Sequence, residues 1–517
     1  MKSLTVVALV LAACSMAACS KPAPPAATQA AAEASGIDWR KGDVDAAFAE
    51  AKAASKPLFL YWGAVWCPPC NQVKATIFTR PDFIARSRAF VPVYLDGDSP
   101  DAQKLAERFK VSGYPTMVLF SADGAELTRL PGEIDAARYL EVLDMGINAR
   151  RSVKDLIAAA LAGKTLAPEE WRLLAYWEIQ EQGLVPDQSL PATLQQLAVA
   201  APADQADAKL RLNLKAIVAS ATADAPKPTP PAGALALVLN TLGDAGHTRA
   251  NADLFIDYPS DIAAYLTPAG TPQRKQLSTA LDQVLDAFAA DASLSLADQI
   301  GAVDGEVELA RLDQPKDAKL PEPLLAKARA AAARGDREAV TPYQRQSVIY
   351  VAGGTLGDAG LLDESDALYK AELGRSHEPY YFMLHLADNA KDRGDTAAAL
   401  DWYAKAYAAA QGPATRLQWG ATYVVNLLEL TPADDARIKG AAAAVLGELQ
   451  PDPAVFYGRN LRSLKKMGGK LAGWSHDPKH APAFGAVQAD LNAVCGKLPA
   501  QAPERASCQG LLSAEAT

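Results

Sequence analysis

The sequence predicts an N-terminal α/β domain followed by a long all-α region built from helical repeats. Three observations support this fold class. Residues 57–62 form a short apolar and aromatic run, typical of a buried strand, and a pair of cysteines two residues apart follows it. From Ser152 onward strand signals nearly vanish, while Ala- and Leu-rich helical segments recur. The chain has 517 residues, which is too long for one domain.

The α/β part can be divided into elements in order. After the cysteine pair a helical stretch reaches about residue 86, and residues 90–96 form a second strand. A short helix covers residues 103–109. A hairpin follows, with strands at 117–120 and 126–130 and a turn at Ala122, Asp123 and Gly124. An amphipathic helix at 134–147 completes the order βαβαββα.

Cys67 and Cys70 lie at the strand-to-helix junction, separated by two prolines that suit a first helical turn. The partial positive charge of a helix start stabilises a thiolate at Cys67, which can attack a disulfide, and Cys70 is near enough to resolve the mixed disulfide. The alternatives are half of a zinc site or a structural bridge. A zinc site needs two more ligands, and the sequence has no second Cys-x-x-Cys. The pattern therefore favours redox chemistry, with no metal.

These features together resemble thioredoxin. The resemblance covers about residues 37–148 and depends on the element order and on the motifs Trp-Cys-Pro-Pro-Cys (66–70), Gly-Tyr-Pro-Thr (113–116), Phe120, Gly124 and Gly132. It implies a thiol–disulfide oxidoreductase whose only redox group is its own disulfide. It also implies a cis Pro115 facing that disulfide, and substrate contacts from Trp66, Tyr114 and Pro115. Periplasmic thioredoxin-like proteins, in which a Cys-Pro-Pro-Cys centre is common, are especially similar. The resemblance thus implies protein disulfides as substrates and an upstream membrane electron donor.

One residue departs from the family pattern. Cytosolic thioredoxins carry a buried acid six residues before the first cysteine, and Tyr61 occupies that position. In the family this acid takes up the proton of the resolving cysteine, so the proton acceptor is left open. Tyr61 itself is predicted to be a core residue of the strand.

The N-terminus predicts export. A basic start is followed by a short apolar stretch at residues 4–16, which is too short to span a bilayer and fits a signal peptide. Its end resembles a bacterial lipoprotein box, with Cys19 as the favoured lipidation site and Cys14 as the alternative. The prediction is a signal at 1–18, a flexible Ala/Pro-rich tether at 19–36, and a periplasmic body held by a lipid anchor, with the outer membrane favoured because of Ser20. Plain secretion into the periplasm remains the alternative.

Two further cysteines, Cys495 and Cys508, lie near the C-terminus. Pro499 and Pro503 between them exclude one continuous helix and favour a closed loop. In an oxidising compartment this pattern predicts a structural disulfide. A second redox pair that relays electrons to Cys67 and Cys70 is the alternative.

The region 150–517 follows the predicted α/β domain at 37–149, with a candidate subdomain boundary at the Pro-rich residues 222–233. Gly360 and Tyr369 recur as Gly394 and Tyr403, a 34-residue shift that is the period of tetratricopeptide repeats. Stacked helix pairs form a concave surface suited to a partner. No catalytic group is visible in this region, so its predicted role is to hold a client near the redox pair.

The net charge and the remaining polar residues add little to the prediction of function. A net charge of −9 offers no electrostatic footprint for nucleic acid. His476 and His480 flank Pro478, which argues for a solvated loop rather than a metal site. The acidic run at residues 304–308 is predicted to be an exposed helix face.

The sequence as a whole predicts a lipid-tethered periplasmic oxidoreductase with a helical partner-binding region. Two other classes of function remain open. One is a repeat-based scaffold or chaperone whose α/β domain binds partners and turns over little. The other is a redox sensor in which the disulfide state changes what the repeats hold.

Overall fold

A computed structural model describes residues 36–99, 101–132, 134–178, 184–315, 318–449 and 453–513. The predicted signal peptide and almost all of the predicted tether, with Cys14 and Cys19, lie outside these residues. From Ile37 onward the chain forms one compact unit. Within the described residues no helix combines the length and the apolar character needed to cross a bilayer.

A five-stranded sheet in the order β1-β3-β2-β4-β5 forms the centre of the α/β part. Its strands are Arg40–Lys41 (β1), Leu58–Gly63 (β2), Val91–Asp96 (β3), Thr116–Phe120 (β4) and Glu126–Leu130 (β5). Strands β1, β3 and β2 run parallel, whereas β4 is antiparallel to β2 and to β5. Every residue of β2 is buried, as expected of a central strand covered on both faces. The predicted α/β fold class is confirmed.

Helices cover both faces of this sheet. They are Val44–Ala54 (α1), Pro68–Val73 (α2), Pro81–Arg86 (α3), Ala102–Arg108 (α4) and Ala136–Ile147 (α5). A π-helical turn, Lys74–Phe78, continues α2. The predicted order lacked α1 and also β1, whose two residues leave no alternating pattern. The N-terminus of α1 is capped by Asp43, whose carboxylate accepts a hydrogen bond from the Ala46 N–H at 3.0 Å.

The rest of the described chain is helical, which confirms the predicted all-α region. The helices are Val153–Leu161 (α6), Pro168–Tyr176 (α7), Leu190–Ala200 (α8), Ala206–Ala221 (α9), Ala234–Leu242 (α10), Ala245–Ala250 (α11), Ala252–Asp257 (α12), Pro259–Leu266 (α13), Pro272–Ala290 (α14), Leu296–Arg311 (α15), Glu322–Glu338 (α16), Pro342–Asp358 (α17), Leu362–Glu372 (α18), Pro379–Asp392 (α19), Thr396–Ala409 (α20), Pro413–Leu430 (α21), Asp435–Gly447 (α22), Gly458–Trp474 (α23), Ala481–Gly496 (α24) and Pro503–Gln509 (α25).

Among the helices that contact the α/β part, α15, α17, α19, α21 and α23 are called the inner helices below. The repeat spacing found in the sequence has a structural counterpart here. Gly360 and Gly394, 34 residues apart, both adopt positive φ, at 81° and 75°, just before α18 and α20. That the repeats belong to the tetratricopeptide type stays a prediction.

Packing does not stop at the predicted boundary near residue 150. One apolar core joins the sheet and α5 to α6–α9, and includes Tyr139, Leu143, Leu156 and Trp171. Burial of this shared surface stabilises the contact between the two parts. Residues 222–233 are a loop between α9 and α10, which share a second apolar cluster, so the candidate boundary there is also bridged by packing.

Two predictions of exposure were wrong. The acidic run 304–308 lies on inner helix α15, where Glu306 is 4% exposed and accepts a hydrogen bond from Lys327 Nζ at 2.5 Å. His480, predicted to be solvated, is 3% exposed because its ring stacks on Trp474, with centroids 4.2 Å apart, and its Nδ1 lies 2.7 Å from Asp435 Oδ1. No cluster of His, Cys, Asp or Glu in the described residues is placed to hold a metal ion.

Candidate redox site

The cysteine pair is placed by the junction between β2 and α2. Strand β2 ends at Gly63, and Cys67 is the N-cap of α2, whose first residue is Pro68. Cys67 and Cys70 form a disulfide. The Cys70 N–H donates to Cys67 Sγ at 3.2 Å, which is the hydrogen bond that would stabilise a thiolate at Cys67 after reduction.

The loop before β4 lies opposite the disulfide. The Tyr114–Pro115 peptide bond is cis, and the Tyr114 carbonyl oxygen is 3.6 Å from Cys67 Sγ. Gly132, two residues after β5, packs close to this loop: a Cβ placed on it would be 3.1 Å from Pro115 Cγ. The start of α2 and the loop before β4 therefore meet at the sulfur that is expected to react.

Tyr61 lies beneath Cys70, where cytosolic thioredoxins have an acid. It is buried, its hydroxyl donates to the Cys70 carbonyl at 3.5 Å, and its ring stacks on Tyr94 with centroids 5.3 Å apart. Burial raises the pKa of Tyr61 far above the physiological range, so this side chain stays protonated. Tyr61 therefore cannot take up a proton from Cys70 as a carboxylate would.

Three further titratable groups, Lys74 and the two acids that interact with it, Asp96 and Glu378, were missed by sequence reasoning. Lys74 is one helical turn after Cys70, and burial lowers its pKa to about 8. Asp96, at the end of β3, has its pKa raised by burial. Glu378, just before inner helix α19, has a pKa raised to about 6, also by burial. The four-residue spacing of Lys74 from Cys70 was visible in the sequence, whereas nothing marked Glu378.

The inner helices cover the face of the α/β part that carries Cys67. Cys67 is 2% exposed and Cys70 is 0% exposed. Trp66 stacks on Tyr381 of α19, with centroids 5.4 Å apart, and meets Trp419 of α21 edge-on at 4.9 Å. These aromatic rings close over the residue that precedes the reactive cysteine.

Hydrogen bonds fix this cover in place. Trp66 Nε1 donates to Thr415 Oγ1 at 2.8 Å, and Gln346 Nε2 donates to the Trp66 carbonyl at 3.0 Å. Asp98 accepts a hydrogen bond from the Thr415 N–H at 2.6 Å and another from the Thr415 hydroxyl. Burial against α21 raises the pKa of Asp98 to about 6. Each of these bonds joins the α/β part to an inner helix.

The same cover extends over the predicted substrate surface. The guanidinium of Arg459, on α23, lies 4.9 Å from the Tyr114 ring centroid and 5.7 Å from that of Trp66. Arg462 donates to the Ser112 carbonyl at 2.6 Å. Trp66 and Tyr114 therefore contact the chain's own helices, and Pro115 is half-buried.

The second cysteine pair lies in a different part of the core. Cys495 and Cys508 form a disulfide between α24 and α25 and are 1% and 0% exposed. They pack with Leu464, Val487 and Leu491, in a cluster that does not include Cys67 or Cys70. This burial in an apolar cluster suits a bridge that holds the C-terminal helices together.

Comparisons with known proteins all point to the α/β part. A family model described as a thioredoxin-like domain matches residues 44–147. Thiol:disulfide interchange protein DsbD 1 of Pseudomonas aeruginosa is 36% identical over 104 residues, which are 19% of this chain and 18% of that protein. Thioredoxin H-type of Oryza sativa subsp. indica is 33% identical over 93 residues, 18% of this chain and 70% of that one. The match thus spans about a fifth of the length of the DsbD relatives.

Among solved structures, a thioredoxin from Thermus thermophilus is 29% identical. That match covers 21% of this chain and 86% of the other, with a TM-score of 0.19.

Proposed function

We propose that this chain, which belongs to the thioredoxin-like family through residues 44–147, is a thiol–disulfide oxidoreductase that reduces or exchanges protein disulfides. The observation that carries the proposal is the Cys67–Cys70 disulfide at the start of α2, facing the cis Tyr114–Pro115 bond. The helical region is proposed to bind clients or partners. A membrane protein is proposed as the upstream electron donor, because DsbD proteins are among the relatives.

The proposed reaction starts from the reduced pair. The Cys67 thiolate attacks one sulfur of a substrate disulfide, so that a Cys67–substrate disulfide forms and the substrate's S–S bond breaks. The departing substrate sulfur takes up a proton. Cys70 then loses its proton and attacks Cys67 Sγ, which releases the second substrate thiol and restores the Cys67–Cys70 disulfide. Two electrons pass from the pair to the substrate, and the electron donor returns them.

Reduction of insulin tests this proposal directly. With dithiothreitol as the reductant, the full-length protein is expected to speed precipitation of the insulin B chain above the rate with dithiothreitol alone. A Cys67→Ala/Cys70→Ala variant at the same concentration is the control, because it lacks both thiols of the pair; circular dichroism checks that its fold is retained. Equal rates for the two proteins would contradict the oxidoreductase proposal.

A redox sensor is the second candidate function, and the cover over Cys67 is the observation that favours it. In a sensor, breaking the Cys67–Cys70 disulfide would loosen the contacts between Trp66 and the inner helices, and the change would be read by a partner. Absence of insulin reduction, together with faster proteolysis of the inner helices after reduction, would favour the sensor over the enzyme.

We propose a periplasmic location with a lipid anchor at Cys19, supported by the signal-like N-terminus and by the DsbD relatives. Cys19→Ala is expected to shift the protein from the membrane fraction to the soluble fraction or to leave the precursor uncleaved. The measurement is fractionation together with incorporation of labelled fatty acid. Cys14→Ala is the matched control and should keep the label. Label that persists in Cys19→Ala and disappears in Cys14→Ala would place the anchor at Cys14.

A further inference from the structure

A cavity of about 260 Å³ lies between the α/β part and inner helix α15. Pro69 of the Cys-Pro-Pro-Cys motif, Gln72 and Gly132 contribute one wall. Residues of α12 and α15 contribute the opposite wall. At its rim the side chains of Arg138 and Arg249 are 30% and 29% exposed, so the cavity reaches solvent there. It is called the acidic cavity below, for the reason that follows.

Three carboxyl groups of α15 line the acidic cavity and have no cationic partner among the described residues. Asp298 accepts from Gln72 Nε2 at 2.7 Å, and Glu308 accepts from Ser260 Oγ at 2.8 Å. Oδ1 of Asp304 is out of contact with solvent and receives no hydrogen bond. Burial raises the pKa of all three carboxyls, as expected where no cation stabilises the charge.

The other charges around the acidic cavity are already paired. Arg249 bridges Asp135 at 3.1 Å and Asp291 at 2.9 Å. Asp253 is bound by Arg211 at 2.6 Å. Three carboxyls of α15 are therefore left at the cavity without a cation to stabilise their charged form.

An organic cation fits this arrangement better than a metal ion. Among the described residues no three potential ligands are grouped for a metal. Asp304 and Glu308 are one helical turn apart, and Asp298 lies about 9 Å from Asp304 along the helix axis. Asp304 and Glu308 are close enough for the ammonium of one lysine or the guanidinium of one arginine to donate to both, whereas Asp298 is too far along the helix to share the same group.

We propose that the acidic cavity binds the basic side chain of a polypeptide substrate, at a position within a few residues of the cysteine that reacts with Cys67. The placement comes from the wall itself: Pro69 lies within the redox motif, and Gly132 contacts the loop of cis Pro115. A lysine or arginine in the cavity would donate charged hydrogen bonds to Asp304 and Glu308. This inference rests on the proposed function, because it presupposes a disulfide-containing polypeptide as the substrate.

The test uses nine-residue peptides with two lysines or two norleucines on each side of a central residue. With serine at the centre, binding to the oxidised full-length protein is measured by calorimetry. The lysine peptide is expected to bind about tenfold more tightly than the norleucine peptide, which is about 1.4 kcal/mol. Asp304→Asn/Glu308→Gln should abolish this preference. Asp401→Asn/Glu338→Gln, which removes two exposed acids elsewhere, should retain it and so accounts for the overall charge.

The possible outcomes distinguish failure of the cation site from failure of the proposed oxidoreductase activity. Equal binding of the two serine peptides, or an equal loss of preference in both double variants, would overturn the inference. Agmatine alone binding as tightly as the lysine peptide would also overturn it, because the site would then take a free small cation. With a cysteine at the centre, as a mixed disulfide, the lysine peptide should also be reduced faster. If the serine peptide binds as expected but neither cysteine peptide is reduced, the cation site stands and the proposed function fails.

Discussion

Cys67→Ser is expected to abolish disulfide reduction, whereas Cys70→Ser is expected to turn the protein into a trap for its substrates. Cys67 is the N-cap of α2 and its sulfur lies 3.6 Å from the Tyr114 carbonyl, so it is placed to attack. A serine hydroxyl cannot form the mixed disulfide, and the rate should fall at least about a thousandfold, a barrier increase of about 4 kcal/mol. Without Cys70 the mixed disulfide cannot be resolved, and it should accumulate as a higher band on a non-reducing gel.

The second disulfide supplies the control for this experiment. Cys495→Ser/Cys508→Ser should retain the rate of insulin reduction, because this pair lies in a separate apolar cluster. A rate as low as that of Cys67→Ser in this variant, with the fold intact by circular dichroism, would mean that electrons pass through Cys495 and Cys508. If Cys67→Ser forms mixed disulfides and Cys70→Ser does not, then Cys70 is the attacking cysteine and Cys67 the resolving one, the reverse of the proposed assignment.

Trp419→Ala is expected to raise the rate at which reduced Cys67 is alkylated by at least about tenfold. Trp419 meets Trp66 edge-on and is 6% exposed, so its removal takes away packing that holds α21 against the redox site. Truncation of a buried tryptophan costs about 3–5 kcal/mol, and part of that cost is expected to lower the free energy of opening the cover. The measurement is iodoacetamide labelling of Cys67 by mass spectrometry at a fixed pH.

Two further variants test whether faster labelling is specific to the cover or comes from a general loss of structure. Thr415→Val removes the hydroxyl that binds Trp66 Nε1 and Asp98, and it should speed labelling in the same direction by a smaller factor. Trp402→Ala truncates a half-buried tryptophan on α20, packed against Leu386 and its neighbours, and should leave the labelling rate unchanged. Equal acceleration by Trp402→Ala would mean that general loosening, and not the cover, controls access to Cys67.

The α/β part could be predicted from the sequence because its signals are local. An apolar strand, a cysteine pair with two prolines and a helix start all fall within residues 57–78, and the hairpin follows a recognisable turn. The buried position predicted for Tyr61 follows from the same strand pattern. Only β1 and α1, at the start of the domain, were missed.

The cover over the redox site could not be predicted, because it depends on contacts between distant parts of the chain. Trp66 and Thr415 are 349 positions apart, and Gln346 and Trp66 are 280 apart. No periodicity or motif encodes such a pair. The helical region was predicted to hold a client, without any role at the redox pair itself. The structure shows that it encloses Trp66 and Cys67, so access to the sulfur depends on this region.

The burial of charged residues in the helical region also could not be predicted from the sequence. Asp304 and Glu306 look like part of a solvated face, since runs of charge usually are. They are enclosed because α15 lies between neighbouring helices and the α/β part. Only the arrangement of the helices decides which of their faces meets water.

Because one apolar core is shared across residue 150, the α/β part is synthesised before the residues that complete its packing. The ribosome makes the sheet and Cys67 first, and the residues that complete the apolar core, up to Ala216, come later. The segments that cover Cys67, from Gln346 to Arg462, come later still. A newly made α/β part therefore has its reactive sulfur open and its apolar edge bare. The redox pair is therefore most accessible before the inner helices are synthesised, and it becomes enclosed when they pack against the α/β part.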